Sequence, residues 1–249
     1  MDPYIGITGF TRKEEVEKVL DVFPKDFKKR KLMVGVLVGY KSLRGIPLNP
    51  RWQKRFPDPK TLPSLFLKDQ RVLNIVHYCP KDFSENFLAD MKKIEEMAGE
   101  NFNGFQINAS WPPAKDLKAY KKISNKLIIL QINNKAIEEA ETVDGILRKL
   151  NEYSDFVDSI LLDTSGGSGK LFEPTSSRTI LNFISKTYPH IGIGIAGGLG
   201  PNTVELISPL LEEFPDLSID AEGALRNQDN ELDILKAQIY LDRALEILS

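Results

Sequence analysis

Asp163 closes an apolar run in "ILLDTSGGSGK" (160–170) and is followed at once by a glycine-rich turn ending in lysine. A carboxyl so placed is either an acid held over an anion site or the cap of a strand entering a flexible loop. Two later stretches bear on that choice. "GIAGGLGPNTV" (194–204) carries Gly197, Gly198 and Leu199, with a helix start expected near Pro201, and "SIDAEG" (218–223) carries Asp220, Glu222 and Gly223, with Arg226 just beyond. Glycine lets backbone N–H groups approach an anion, and a helix start adds partial positive charge, so this pair of turns suits a phosphate. Glu222 opposes it: a carboxylate about 5 Å from a phosphate costs on the order of 3 kcal/mol at an effective dielectric near 20. Either Arg226 compensates or Glu222 points elsewhere. Gln106 and Asn108 in "FQIN", and Gln131 and Asn133 in "QINN", stand two apart and so share a strand face. Such pairs line a polar mouth or cap strands.

Those residues need a scaffold, and the rest of the chain supplies its rhythm. Strand-length apolar runs fall at 4–8, 32–38, 72–78, 104–108, 126–133, 159–163, 192–196 and 217–220, separated mostly by amphipathic helical patterns. Eight β-then-α units in 249 residues predict a closed (β/α)8 barrel of the TIM type, one domain over 1–249, instead of an open doubly wound sheet. No G-x-G-x-x-G follows the first strand. The site of such a barrel lies at the carboxyl ends of its strands, which here are Thr8, the two amide pairs, Asp163 and Asp220. The second unit is irregular: residues 41–63 hold Pro47, Pro50, Pro57, Pro59 and Pro63 and read as a long loop over the mouth with a short helix, or as a disordered insertion. His77 and Tyr78 have opposite parity, so one of them faces the mouth. His190 precedes the seventh strand and belongs to the opposite end. Trp111 either stacks on an aromatic ligand or plugs the barrel.

Bulk properties exclude other classes. The 33 basic and 35 acidic residues are interspersed and net to -2, without the one-sided basic footprint of a nucleic-acid binder. No apolar stretch reaches membrane-span length, and the Met1-Asp2-Pro3 start lacks signal-peptide character, so a cytoplasmic protein without membrane contact is expected. One cysteine, Cys79, and two histidines give no zinc motif, and no cofactor is expected. The oligomeric state is left open.

Taken in order on strands six, seven and eight, "LLDTSGGSGK", "GIAGGLGPNTV" and "SIDAEG" resemble the phosphoribosylanthranilate isomerase family, and "ITGFTRKEE", "VGVLVGYKSLR" and "FQIN" are similar to its segments on strands one, two and four. The resemblance implies an Amadori rearrangement of a phosphorylated sugar derivative. A general acid protonates the furanose ring oxygen and a general base takes the proton from C2. It places the acid on Asp163, the group meeting the anthranilate carboxylate on Arg44, and the phosphate amides on Gly197, Gly198, Leu199 and the turn at Glu222 and Gly223. The glycines after Asp163 then read as a loop closing over the substrate. The family's base is a cysteine at the end of the first strand, and the matching position here is Thr8, whose hydroxyl is a far poorer base. Cys79 is a candidate replacement or a structural thiol. The alternatives are a non-catalytic barrel that binds a phosphorylated metabolite or a partner, and another phosphate-binding barrel enzyme such as an epimerase, aldolase or synthase.

Overall fold

A computed structural model describes residues 1–81, 86–164 and 174–248, with backbone alone for 174–176. Eight parallel strands, β1 (Tyr4–Thr8), β2 (Lys31–Gly39), β3 (Val72–Cys79), β4 (Gly104–Ile107), β5 (Leu127–Asn133), β6 (Ser159–Asp163), β7 (Gly192–Ala196) and β8 (Ser218–Ala221), pair in sequence order. The barrel closes where Ile5 pairs with Ile219. This is the expected (β/α)8 architecture. Parallel strands wrapped by helices are apolar on both faces, as Leu32–Val38 shows by being buried throughout.

Between the strands lie α1 (Lys13–Leu20), α2 (Tyr40–Leu43), α3 (Pro50–Gln53), α4 (Leu62–Leu65), α5 (Phe87–Ala98), α6 (Ala114–Lys121), α7 (Asn134–Ala140), α8 (Val143–Leu150), α9 (Pro174–Thr187), α10 (Ser208–Leu211) and α11 (Ile234–Ile247). Inside the barrel, Tyr4, Met33, Leu73, Ile75, Ile129, Leu161 and Ala196 form a separate apolar cluster. It is the floor on which the polar strand ends rest.

Three local departures from the sequence pattern bear on the site. The helical stretch beginning at Ala136 breaks in two at Glu141, whose φ is +64°, and Thr142 then caps α8 by accepting from the Gly145 amide at 3.0 Å. No helix starts at Pro201. The amides of Thr203 and Val204 both donate to the Gly200 carbonyl, and the Thr203 hydroxyl donates to the Gly198 carbonyl at 2.7 Å, so this segment is a tight turn leading to a 3₁₀ turn at Val204–Ile207. The proline-rich segment carries α2, α3, a 3₁₀ turn at Pro59–Thr61 and α4. Pro50, Pro59 and Pro63 each fall in a first turn, where a missing N–H costs nothing. Among the described residues, no helix is long and apolar enough to cross a membrane.

Candidate active site

Thr8 and Asp220 meet across the β1–β8 seam. The Thr8 hydroxyl lies 3.0 Å from each carboxylate oxygen, and both residues are buried. Gly35 makes room for Thr8, because a β-carbon there would stand 2.3 Å from the Thr8 hydroxyl oxygen. Burial pushes the Asp220 carboxyl up from 3.8 to about 7; the Thr8 hydrogen bond opposes that, Glu222 reinforces it, Gln106 opposes it and Asp163 adds to it. A carboxyl tuned to neutrality at a strand end has the property a general base needs.

From Asp220 a row of side chains crosses the mouth. The Gln106 amide nitrogen lies 3.4 Å from Asp220, 3.1 Å from Gln131 and 3.1 Å from His77 Nδ1. Gln131 reaches Asp163 Oδ2 at 2.9 Å. Asn108 approaches His77 Nε2 at 3.0 Å, and Asn133 approaches Asn108 at 3.4 Å. His77 is thus the inward residue of its pair, whereas Tyr78 turns outward and donates to Asp90 at 2.8 Å. Burial pulls His77 below its usual range, with Glu222 and Asp163 pulling the other way. Thr8, Gln106, Asn108, Gln131, Asp163 and Asp220 therefore gather at one mouth. Asn133 belongs to the row and also caps α7, accepting from the Ala136 amide at 3.0 Å.

Other predicted residues stand apart from this row. The Arg44 guanidinium binds both Asp90 oxygens, at 2.8 and 3.0 Å, and lies 3.9 Å over the Tyr40 ring. The cation beside Glu222 is Arg55, at 2.9 Å, with Arg226 farther away at 3.8 Å. Arg226 is buried and donates to the carbonyls of Thr8 and Gly9, each at 3.2 Å. Arg55 also bonds Asn230, whose amide donates to the Arg51 carbonyl, so the proline-rich segment is latched to the loop after β8. Between them lies a cavity of about 620 Å³ lined by Arg51, Lys54, Arg55, Gly223 and Arg226 among others. Gly197 and Gly198 have φ of +97° and +69°, which side chains rarely adopt, and Leu199 is buried beneath them. The turn at 165–173 lies outside the described residues.

Cys79 sits at the end of β3 with its sulfur 4.0 Å from the Asn108 amide, and burial with Glu222 pushes the thiol up to about 12. His190 contacts the Ser154 carbonyl at 3.1 Å, away from the row. Trp111 donates to the Ala136 carbonyl at 2.9 Å and packs near Tyr153. Sequence reasoning did not find Arg55, which sits in a segment without periodicity. It also left open the direction of His77, although Gln106 on β4 and Asn108 just after it offered that ring partners.

A closed barrel with a polar network at the carboxyl ends of its strands defines the class: a single-domain (β/α)8 barrel of the TIM type. More particularly, part of the chain is similar in sequence, and the barrel is similar in fold, to phosphoribosylanthranilate isomerases. Over 90 residues it is 34% identical to N-(5'-phosphoribosyl)anthranilate isomerase of Pyrococcus abyssi (strain GE5 / Orsay), a match spanning 35% of this chain and 38% of that relative. The solved phosphoribosyl anthranilate isomerase of Thermus thermophilus superposes with a TM-score of 0.64 at 14% identity, over 98% of this chain and 99% of that one. A phosphoribosyl anthranilate isomerase in complex with reduced 1-(o-carboxyphenylamino)-1-deoxyribulose 5-phosphate superposes with a TM-score of 0.62 at 16% identity, over 98% and 99%. At such identities the structural likeness speaks for the fold. No model of a protein family matches the chain.

Proposed function

We propose that this barrel isomerises a phosphorylated aldose amine to the ketose amine, with Asp163 as general acid and Asp220 as the base. Asp163 delivers a proton to the furanose ring oxygen, the ring opens to an iminium ion, and Asp220 takes the C2 proton to leave the enol amine. The observation that carries this reading is that two carboxyls, Asp163 and Asp220, are joined through Gln131 and Gln106 in one network at the barrel mouth. Asp220 fills the role that Thr8 cannot perform, and Thr8 keeps its carboxylate oriented by donating to it. In support of a phosphorylated ligand stand the left-handed Gly197-Gly198 turn, the cation-lined cavity beside Gly223, and the compensation of Glu222 by Arg55.

The test is turnover of N-(5'-phosphoribosyl)anthranilate by the purified chain. Wild type is expected to be active, and Asp163→Asn and Asp220→Asn are each expected to lose roughly 10²- to 10⁴-fold in kcat. Silence from wild type and from Thr8→Cys alike overturns the reading and leaves a barrel that binds a phosphorylated metabolite without converting it.

A further inference from the structure

The glycine turn and the cation-lined cavity lie on different sides of the turn after β8. On the β7 side that turn packs against the glycines: a β-carbon on Gly200 would stand 2.6 Å from Ala224 Cβ. On the β1 side Arg226 reaches the carbonyls of Thr8 and Gly9. The cavity, of about 620 Å³, has Arg226 in one wall and Arg51, Lys54 and Arg55 of the proline-rich segment in the other, and none of Gly197, Gly198, Leu199 or Ala224 lines it. An anion held there is therefore not the anion held by the glycine turn.

The charges around the cavity leave two guanidiniums without a close counter-charge. Arg55 is engaged by Glu222 at 2.9 Å, and Lys54 lies between Asp229 at 3.8 Å and Glu231 at 3.5 Å. Arg226 is 6% exposed, and the carboxylate it meets, Glu222, stands 3.8 Å away and is already taken by Arg55. Its two terminal nitrogens donate to uncharged carbonyls, and its Nε has no partner among the described residues. The Arg51 guanidinium, across the cavity, has neither an ion pair nor a hydrogen bond among the described residues.

A buried cation without a counter-charge is costly, and a guanidinium offers a planar fork of donors to an oxyanion. Two such forks on facing walls match the double charge and several acceptor oxygens of a phosphate better than the single charge of a carboxylate. The barrel-side wall is also held in shape: Arg226 pairs with Leu232, and the Asn227 side chain accepts from the Glu231 amide at 2.9 Å.

We propose that this cavity is a second oxyanion site, taking the phosphate group of a small polar molecule, and that the anion tightens the latch by drawing Arg51 of the segment and Arg226 of the barrel onto one ligand. The proposal goes beyond the isomerase reading, since it needs neither turnover nor an occupied glycine turn.

Hydrogen exchange of the intact chain, read by mass spectrometry, localises the effect, with inorganic phosphate as the probe and chloride at equal ionic strength as the control. Phosphate should slow exchange saturably in residues 49–56 and 226–232. Arg51→Ala and Gln228→Glu, both at exposed positions of the wall, should each shift that titration to about tenfold higher phosphate. Asp229→Asn removes an acid from the wall and should shift it about threefold lower. Gly198→Ala strains the glycine turn, where φ is +69°, and should leave the segment's titration in place. Unchanged exchange in the barrel strands checks that each variant is folded. No slowing at the segment, or equal slowing by chloride, overturns the proposal. So does a response that survives both Arg51→Ala and Gln228→Glu, or one that Gly198→Ala abolishes, which would assign the phosphate to the glycine turn. Failure to turn over phosphoribosylanthranilate overturns the isomerase reading and leaves this result standing, so the two fail separately.

Discussion

Asp220 lies below the rim, 4% exposed, between the Thr8 hydroxyl and the Gln106 amide, whereas Asp163 stands partly exposed at the rim of β6 and meets the Gln131 amide. Both are carboxyls at strand ends of one barrel, and each contacts one member of a hydrogen-bonded pair of glutamines. What separates them is depth. The deeper one loses water and gains only a hydroxyl and a shared N–H, too little to offset desolvation, so its charge is costly. The rim carboxyl keeps part of its surface in contact with water. Two carboxyls of the same residue type thus meet different electrostatic surroundings within one mouth.

The sharpest way to break this contrast is through stability. The folded chain holds a proton on Asp220 up to about 7, while the unfolded chain releases it near the ordinary 3.8. Between those values the native state binds the extra proton, so stability is highest on the acid side and falls as pH rises, by about 1.4 kcal/mol per pH unit, or about 4 kcal/mol in all. Asp220→Asn keeps the shape and removes the charge. It should stabilise the fold by up to about 4 kcal/mol above pH 7 and by almost nothing near pH 4, measured by urea unfolding across pH. Asp163→Asn should stay within about 1 kcal/mol over the same range. Equal responses from the two variants would show that depth does not distinguish them.

A smaller effect is expected where the latch meets the β8 turn. Arg55 at 2.9 Å neutralises Glu222, and Arg226 at 3.8 Å is committed to β1 carbonyls. Arg55→Ala uncovers a carboxylate beside the turn proposed to hold the phosphate, and its repulsion, on the order of 3 kcal/mol before screening, should weaken ribose 5-phosphate about tenfold by calorimetry. Adding Glu222→Gln should restore most of the loss. Additive losses in the double variant would place the anion away from Glu222.

The barrel itself was legible because apolar runs and amphipathic patterns alternate, and β1, β6 and β7 have the bounds that their hydrophobic patterns suggest. Strand parity also revealed that Gln106 shares a face with Asn108 and Gln131 with Asn133, which the row confirms. Depth was not legible. Parity shows which face a side chain occupies, but the bare positions at Gly6, against Asp220, and at Gly35, against Thr8, decide how the two meet. Nor was the Arg55–Glu222 pair, because its partners stand 167 positions apart and one lies in a segment whose path is set by prolines. Arg44 illustrates the same limit: its placement depends on Asp90, a carboxylate on α5, 46 positions later.

The smallest predicted effect concerns Cys79, and it separates proximity from function. Its thiol lies at the mouth, near Asn108 and within the field of Glu222, so position alone would make it the substitute for the missing strand-one cysteine. Burial and that carboxylate push it up to about 12, leaving almost no thiolate at neutral pH. Cys79→Ser should therefore change kcat by less than about threefold, and the native thiol should react with a disulfide reagent at pH 8 far more slowly than after unfolding. Rapid labelling coupled to loss of turnover would move the base from Asp220 to β3. Asp220→Asn would then retain activity while still gaining stability above pH 7.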